Sequence, residues 1–276
     1  MTFRTVLTSC CALALLGLSA GLIEAQNYEA TPGIDAMEAR LEDEMLRFNA
    51  TVNTEVDDDV LELGRLVAMG GSEAGDSGMA CITCHGGDGA GDGSGAFPRL
   101  AGQAGWYTYK QLKDYASGDR QNRVMSGIAK KLTEEEMEAV AAYYATISAP
   151  YVPPLEDVDG MTLQWGGQLG AVGSAERGVP ACVNCHGPSG LGNPPAVPYL
   201  AGQYASYMEH QLRMWKEGKR DNDIDNVMSA IAKKMTEKDI EAVSAYYNRV
   251  RPTLPLPEGF APGPEASPEA TLDPIR

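Results

Sequence analysis

CITCH, at Cys81–His85, decides how this 276-residue chain is read, and it has a second copy, CVNCH, at Cys182–His186. Both strings follow C-x-x-C-H. The spacing has a chemical reason: two thiols three positions apart can each bond one of the two vinyl groups along one porphyrin edge. The adjacent imidazole is then held under the ring, within reach of the iron. A lone C-x-x-C would fit a redox dithiol or half a zinc site equally well. The added His and the second copy point instead to two covalently bound haem c groups, attached through Cys81, Cys84, Cys182 and Cys185. Zinc would want its two C-x-x-C pairs roughly 15–20 residues apart, and these lie in separate repeats.

The inventory of sulfur and imidazole agrees. The chain has 6 Cys, of which Cys10 and Cys11 lie in an N-terminal apolar stretch and the other four in the two motifs. With that stretch removed, no thiol remains for a disulfide. There are 3 His. His85 and His186 are expected as proximal iron ligands. His210 stands opposite Lys110 when the repeats are aligned, so it belongs to no shared site and reads as a partly exposed helical His.

Working outward, residues 1–25 read as a secretory signal, with Arg4 before an apolar run over Val6–Ile23 and a cut before Gln26. If uncleaved, the same run would be a membrane anchor near the lower length limit for a span. Residues 26–58 form an extension in which Ile34, Met37, Leu41 and Met45 recur at helical spacing. Residues 59–149 and 161–251 are two domains joined by a Pro-rich linker over 150–160, and residues 252–276 are a Pro-rich tail expected to be disordered. The net charge of −16 disfavours nucleic acid. It favours steering toward a basic patch on a protein partner, although plain solubility explains it as well.

The duplication extends beyond the motifs. LELGRLVAMGGS at Leu61–Ser72 pairs with LQWGGQLGAVGS at Leu163–Ser174. A Gly-rich loop follows each His; it lacks the Gly-Lys-Ser/Thr ending of a phosphate loop, and its glycines are read as letting backbone pass close to the porphyrin edge. Pro98–Gln103 pairs with Pro198–Gln203. Tyr107, Gln111 and Leu112 match Tyr207, Gln211 and Leu212 on a helix that Gly118 or Gly218 ends, and Arg120 or Arg220 follows. Thr133 with Glu136, and Thr236 with Asp239, are expected to be capping boxes opening the last helix. Met137, Val140, Ala141 and Tyr144 form one face of that helix, as do Ile240, Val243, Ser244 and Tyr247.

An iron that carries electrons without binding substrate needs a second axial group. With His nearly exhausted, Met is the economical candidate, and most of the 12 Met should be core filler. Met125 and Met228 occupy equivalent positions, in a loop before the last helix. Met235 aligns with Leu132, and Met79 lies too close to Cys81. Met125 and Met228 are therefore expected as distal ligands, which would close both irons and raise their potentials.

The duplicated pattern C-x-x-C-H, P-x-L-A-G-Q, Q-L, G-x-R, V-M and A-Y-Y resembles the dihaem cytochrome c4 family over about residues 61–250. The resemblance implies an all-α fold of two tandem class I cytochrome c domains related by pseudo-twofold symmetry, with propionates near the domain interface. It also implies that the carbonyls of Pro98 and Pro198 bond the far nitrogens of His85 and His186, and that the compartment is the periplasm. The expected function is a non-enzymatic electron carrier in a respiratory chain. Its donor would be a quinol-oxidising complex or a dehydrogenase, and its acceptor a terminal oxidase. The alternative is a cytochrome subunit of a sulfide or alcohol dehydrogenase complex. A catalytic dihaem cytochrome would need an open iron, against the paired Met.

Overall fold

The computed structural model describes residues 57–70, 79–148, 151, 154, 157–193 and 196–251. The expected signal segment, nearly all of the N-terminal extension, part of the linker and the Pro-rich tail lie outside the described residues. Among the described residues there is no strand, only the isolated bridges Ser174–Val179 and Asn193–Val197. No described helix is long and apolar enough to cross a membrane.

The first repeat runs α1 (Asp58–Gly70), α2 (Ile82–His85), α3 (Gly105–Ser117), α4 (Met125–Ala129) and α5 (Glu134–Thr146). The second runs α6 (Gly160–Ala171), α7 (Val183–His186), α8 (Ala205–Lys216), α9 (Val227–Lys234) and α10 (Glu237–Arg249), with single 3₁₀ turns at Pro188–Gly190 and Ile224–Asn226. In each repeat the first helix packs on the last, α1 on α5 and α6 on α10. The helices cross at a glycine. A Cβ on Gly64 would sit 2.1 Å from the Ala139 carbonyl oxygen, and one on Gly166 2.0 Å from that of Ala242. No other residue lets the two backbones approach this closely.

The last helices start where the sequence predicts. Thr133 and Thr236 accept the amides of Glu136 and Asp239, whose carboxylates accept the threonine amides in return. The expected apolar faces are all buried: Met137, Val140, Ala141 and Tyr144 in α5, and Ile240, Val243, Ser244 and Tyr247 in α10. Burying each large apolar side chain there contributes about 1.5–3 kcal/mol.

One expectation needs correcting. Met125 and Met228 do not lie in loops; each sits in the first turn of a short helix, α4 or α9. A side chain outside each helix nucleates that turn. Asn122 Oδ1 accepts the amides of Val124 and Met125, both at 2.9 Å. In the second repeat, three extra residues separate Asn222 from Val227, and Asp223 takes over by accepting the amide and hydroxyl of Ser229.

The repeats meet through reciprocal bonds, as a pseudo-twofold relation requires. Gln103 bonds the backbone of Tyr199, and Gln203 bonds the backbone of Arg99. Arg120 donates to Gln111 of its own repeat and to Tyr207 and Gln211 across the interface. Arg220 donates to its own Gln211 and to Tyr107 and Gln111 opposite. The symmetry breaks in one corner. Asp114 accepts Lys110 Nζ and Asn222 Nδ2, and Lys110 also donates to the Asn222 carbonyl. The residues equivalent to Lys110 and Asp114 are His210 and Met214, which offer no such pairing.

Candidate haem sites

Each C-x-x-C-H string forms a single helical turn. The His85 amide donates to Cys81 O, and the His186 amide to Cys182 O, each at 2.9 Å. The turn brings both thiols and the imidazole of a motif together, and Gly86 or Gly187 then turns the chain away at positive φ. The loop folds back at once, with the amides of Gly91 and Gly192 donating to the carbonyls of His85 and His186 at 2.7 Å. None of the four motif cysteines is in a disulfide, so each is available to a haem vinyl group.

Both imidazoles are buried, His85 at 6% and His186 at 7% exposure. Nδ1 of each lies 2.9 Å from a proline carbonyl, Pro98 or Pro198, as the family resemblance implied. A carbonyl only accepts, so Nδ1 carries the proton and Nε2 keeps the lone pair a metal needs. Burial lowers both imidazoles from their ordinary range, against the opposing pull of the carbonyl, so the neutral, ligating form prevails.

Met125 is half-buried, on a helix packed against α3. Met228 borders the second apolar cluster, which Cys182 and Leu200 also border, so the distal candidate and one thiol meet at the same core. Met235 is a buried member of that cluster and Met79 is exposed. His210 is exposed on α8. In each Gly-rich loop one glycine packs against a tyrosine ring of the last helix. A Cβ on Gly89 would lie 2.8 Å from Tyr144, and one on Gly190 2.5 Å from Tyr247. At those two positions glycine is also required by packing against the last helix.

The surroundings suit a buried anionic macrocycle. Trp106 Nε1, Trp215 Nε1 and the hydroxyl of Tyr144 are buried donors without a hydrogen-bond partner among the described residues. Arg120 and Arg220 are 5% and 4% exposed, yet among the described residues neither is paired with a carboxylate. Buried guanidinium groups without counter-charge are costly, and carboxylates of a bound group would supply it. The residues present therefore fit a haem in each repeat.

Comparison with known proteins agrees. The cytochrome c family model matches residues 73–148 and 178–250, so the chain belongs to the cytochrome c family, as two tandem class I domains. It is 39% identical over 197 residues to cytochrome c4 of Stutzerimonas stutzeri, covering 66% of this chain and 90% of that one. Within the family it is thus a dihaem cytochrome of the c4 type, carrying two covalently bound haem c groups. It is also 43% identical over 175 residues to the thiosulfate dehydrogenase electron acceptor of S. stutzeri, covering 62% of this chain and 79% of that protein. Thiosulfate dehydrogenase TsdBA from Marichromatium purpuratum, in its as-isolated form, superimposes with a TM-score of 0.64 at 35% identity. The match covers 75% of this chain and 43% of that one.

The interface residues carried no assigned role in the sequence. Gln103, Gln203, Tyr107, Tyr207, Gln111, Gln211, Arg120 and Arg220 were visible only as polar positions kept in both repeats, and that repetition was the signal available.

Proposed function

We propose that this dihaem electron carrier works in the periplasm as the acceptor for a thiosulfate dehydrogenase-type enzyme and hands its electrons on toward a terminal oxidase. The observation that carries the reading is the paired geometry: two buried imidazoles, each fixed by a proline carbonyl at 2.9 Å, in repeats that each hold an equivalent methionine. Each haem supplies a one-electron iron centre, so a two-electron oxidation upstream is matched by two equivalent sites. Cys81, Cys84, Cys182 and Cys185 hold the haems covalently. His85 and His186 ligate proximally through Nε2, and Met125 and Met228 close the distal sides, which keeps small substrates off the metal. Arg120 and Arg220 provide positive charge for the haem carboxylates.

Two features support the choice of donor. Relatives at 43% and 39% identity are named thiosulfate dehydrogenase electron acceptors, and the TsdBA chain shares the fold. The net charge of −16 suits docking to a basic patch. The relatives favour this donor over the sulfide or alcohol dehydrogenase complexes.

Stopped-flow spectroscopy tests it. Both haems should be reduced when thiosulfate and a catalytic amount of thiosulfate dehydrogenase are added, at a rate that falls with ionic strength. Reduction by thiosulfate alone would make this chain the dehydrogenase, and no reduction in the mixture would remove the donor assignment.

A further inference from the structure

The peptide group between Pro98 and Arg99 is bonded on both sides. Its carbonyl accepts His85 Nδ1–H at 2.9 Å, and its N–H donates at 3.0 Å to Oε1 of Gln203, which belongs to the other repeat. Gln203 Nε2 also donates to the Arg99 carbonyl at 2.9 Å. The mirror arrangement is present. His186 Nδ1–H donates to the Pro198 carbonyl, the Tyr199 N–H donates to Gln103 Oε1 at 2.9 Å, and Gln103 Nε2 reaches the Tyr199 carbonyl at 3.3 Å. An imidazole, one peptide unit and a carboxamide thus form a continuous chain that crosses the domain interface twice, in opposite directions.

Hydrogen bonds in series polarise one another. An acceptor on the Arg99 N–H pushes electron density onto the Pro98 oxygen, which then draws harder on the His85 proton. A stronger bond at Nδ1 makes the imidazole a more basic ligand. A more basic ligand favours the oxidised iron and lowers its potential. We infer that Gln203 and Gln103 are positioning residues that act across the interface: each sets the proximal histidine of the other domain, so each iron's potential is tuned by the domain that does not bind it. The Gln203 chain is the tighter of the two. Gln203 is buried, whereas Gln103 is half-buried with the longer second bond. The inference rests on His85 and His186 being the proximal ligands.

The test uses the full dihaem protein with ¹⁵N-labelled histidine, of which there are 3. In the oxidised wild type, His85 and His186 should show iron-shifted ring nitrogens and His210 should not. Absence of that shift would refute the ligand reading itself, separately from the inference. Gln203→Leu should move the Nδ1 signal of His85, leave that of His186 in place and raise the potential of the first haem alone. The expected change in its reduction equilibrium is about threefold, or ~30 mV at 59 mV per tenfold for one electron. Gln103→Leu should do the same, more weakly, to His186 and the second haem. Gln203→Glu keeps an acceptor for the Arg99 amide and makes it charged, so the His85 signal should move in the opposite direction to that in Gln203→Leu. The inference is overturned if Gln203→Leu shifts both haems equally, shifts only the second, or leaves His85 Nδ1 unmoved. It is also overturned if the Leu and Glu variants move His85 the same way.

Discussion

Replacing Asp114 with alanine should loosen the distal side of the second haem while sparing the first. Asp114 Oδ2 accepts Lys110 Nζ and Asn222 Nδ2, both at 2.5 Å, and the Lys110 and Asp114 side chains are 19% and 13% exposed. Asn222 lies six positions before Met228 on the segment that carries it, so the network ties that segment to α3 of the other repeat. Hydrogen bonds to a charged group contribute about 1.5–3 kcal/mol. The lower part of that range applies, because neither partner is stranded. Lys110 keeps the Asn222 carbonyl at 2.9 Å, and Asn222 Nδ2 keeps Gln111 Oε1 at 3.0 Å. The loss should be ~2 kcal/mol in urea unfolding of the haem-loaded protein, and about half that for Asp114→Asn, which keeps an acceptor but not the charge. With Met228 and Met125 as the proposed distal ligands, the shifted methyl signal of Met228 in the reduced protein should broaden while that of Met125 stays sharp. Met214→Ala, at the equivalent position, should leave both methyls unchanged. Equal broadening of the two signals in Asp114→Ala, or a stability change below ~0.5 kcal/mol, would refute the reasoning.

Gly64→Ala and Gly166→Ala should each destabilise their own repeat. A new Cβ 2.1 or 2.0 Å from a backbone carbonyl oxygen forces the crossing helices apart. The overpacking cost of about 1–3 kcal/mol exceeds the ~1 kcal/mol gained in helix propensity, and a thermal midpoint that rises would contradict it. Met125→Ala should let carbon monoxide bind one reduced iron and should lower that iron's potential; binding at neither iron in the variant, or at both in the wild type, would remove Met125 as a ligand.

Much of each site was legible because its chemistry is written in short segments. A C-x-x-C-H turn spans five residues, and a capping box spans four. The repeat then separated Met125 and Met228 from the other methionines as candidates, because two copies of one fold are expected to place ligands at equivalent positions. Their setting on helices was less legible. It depends on Asn122 and Asp223 reaching back to the first turn, and the three-residue insertion in the second repeat hides the exchange of one capping residue for the other. A further contact of the Gly-rich loops was hidden for a related reason. The ring that requires glycine at positions 89 and 190 comes from a tyrosine about 55 residues further on.

The sequence by itself determined the cofactor and the tandem all-helical architecture, and it named the candidates for attachment and for both axial positions. Only the tertiary structure decided what lies between the two halves. Gln203 meets Arg99, Arg120 meets Tyr207 and Asn222 meets Asp114 across roughly a hundred residues of chain. No local periodicity encodes such pairs. Each is set by how two folded domains dock, and buried polar groups at that junction had to find partners wherever the docking placed them.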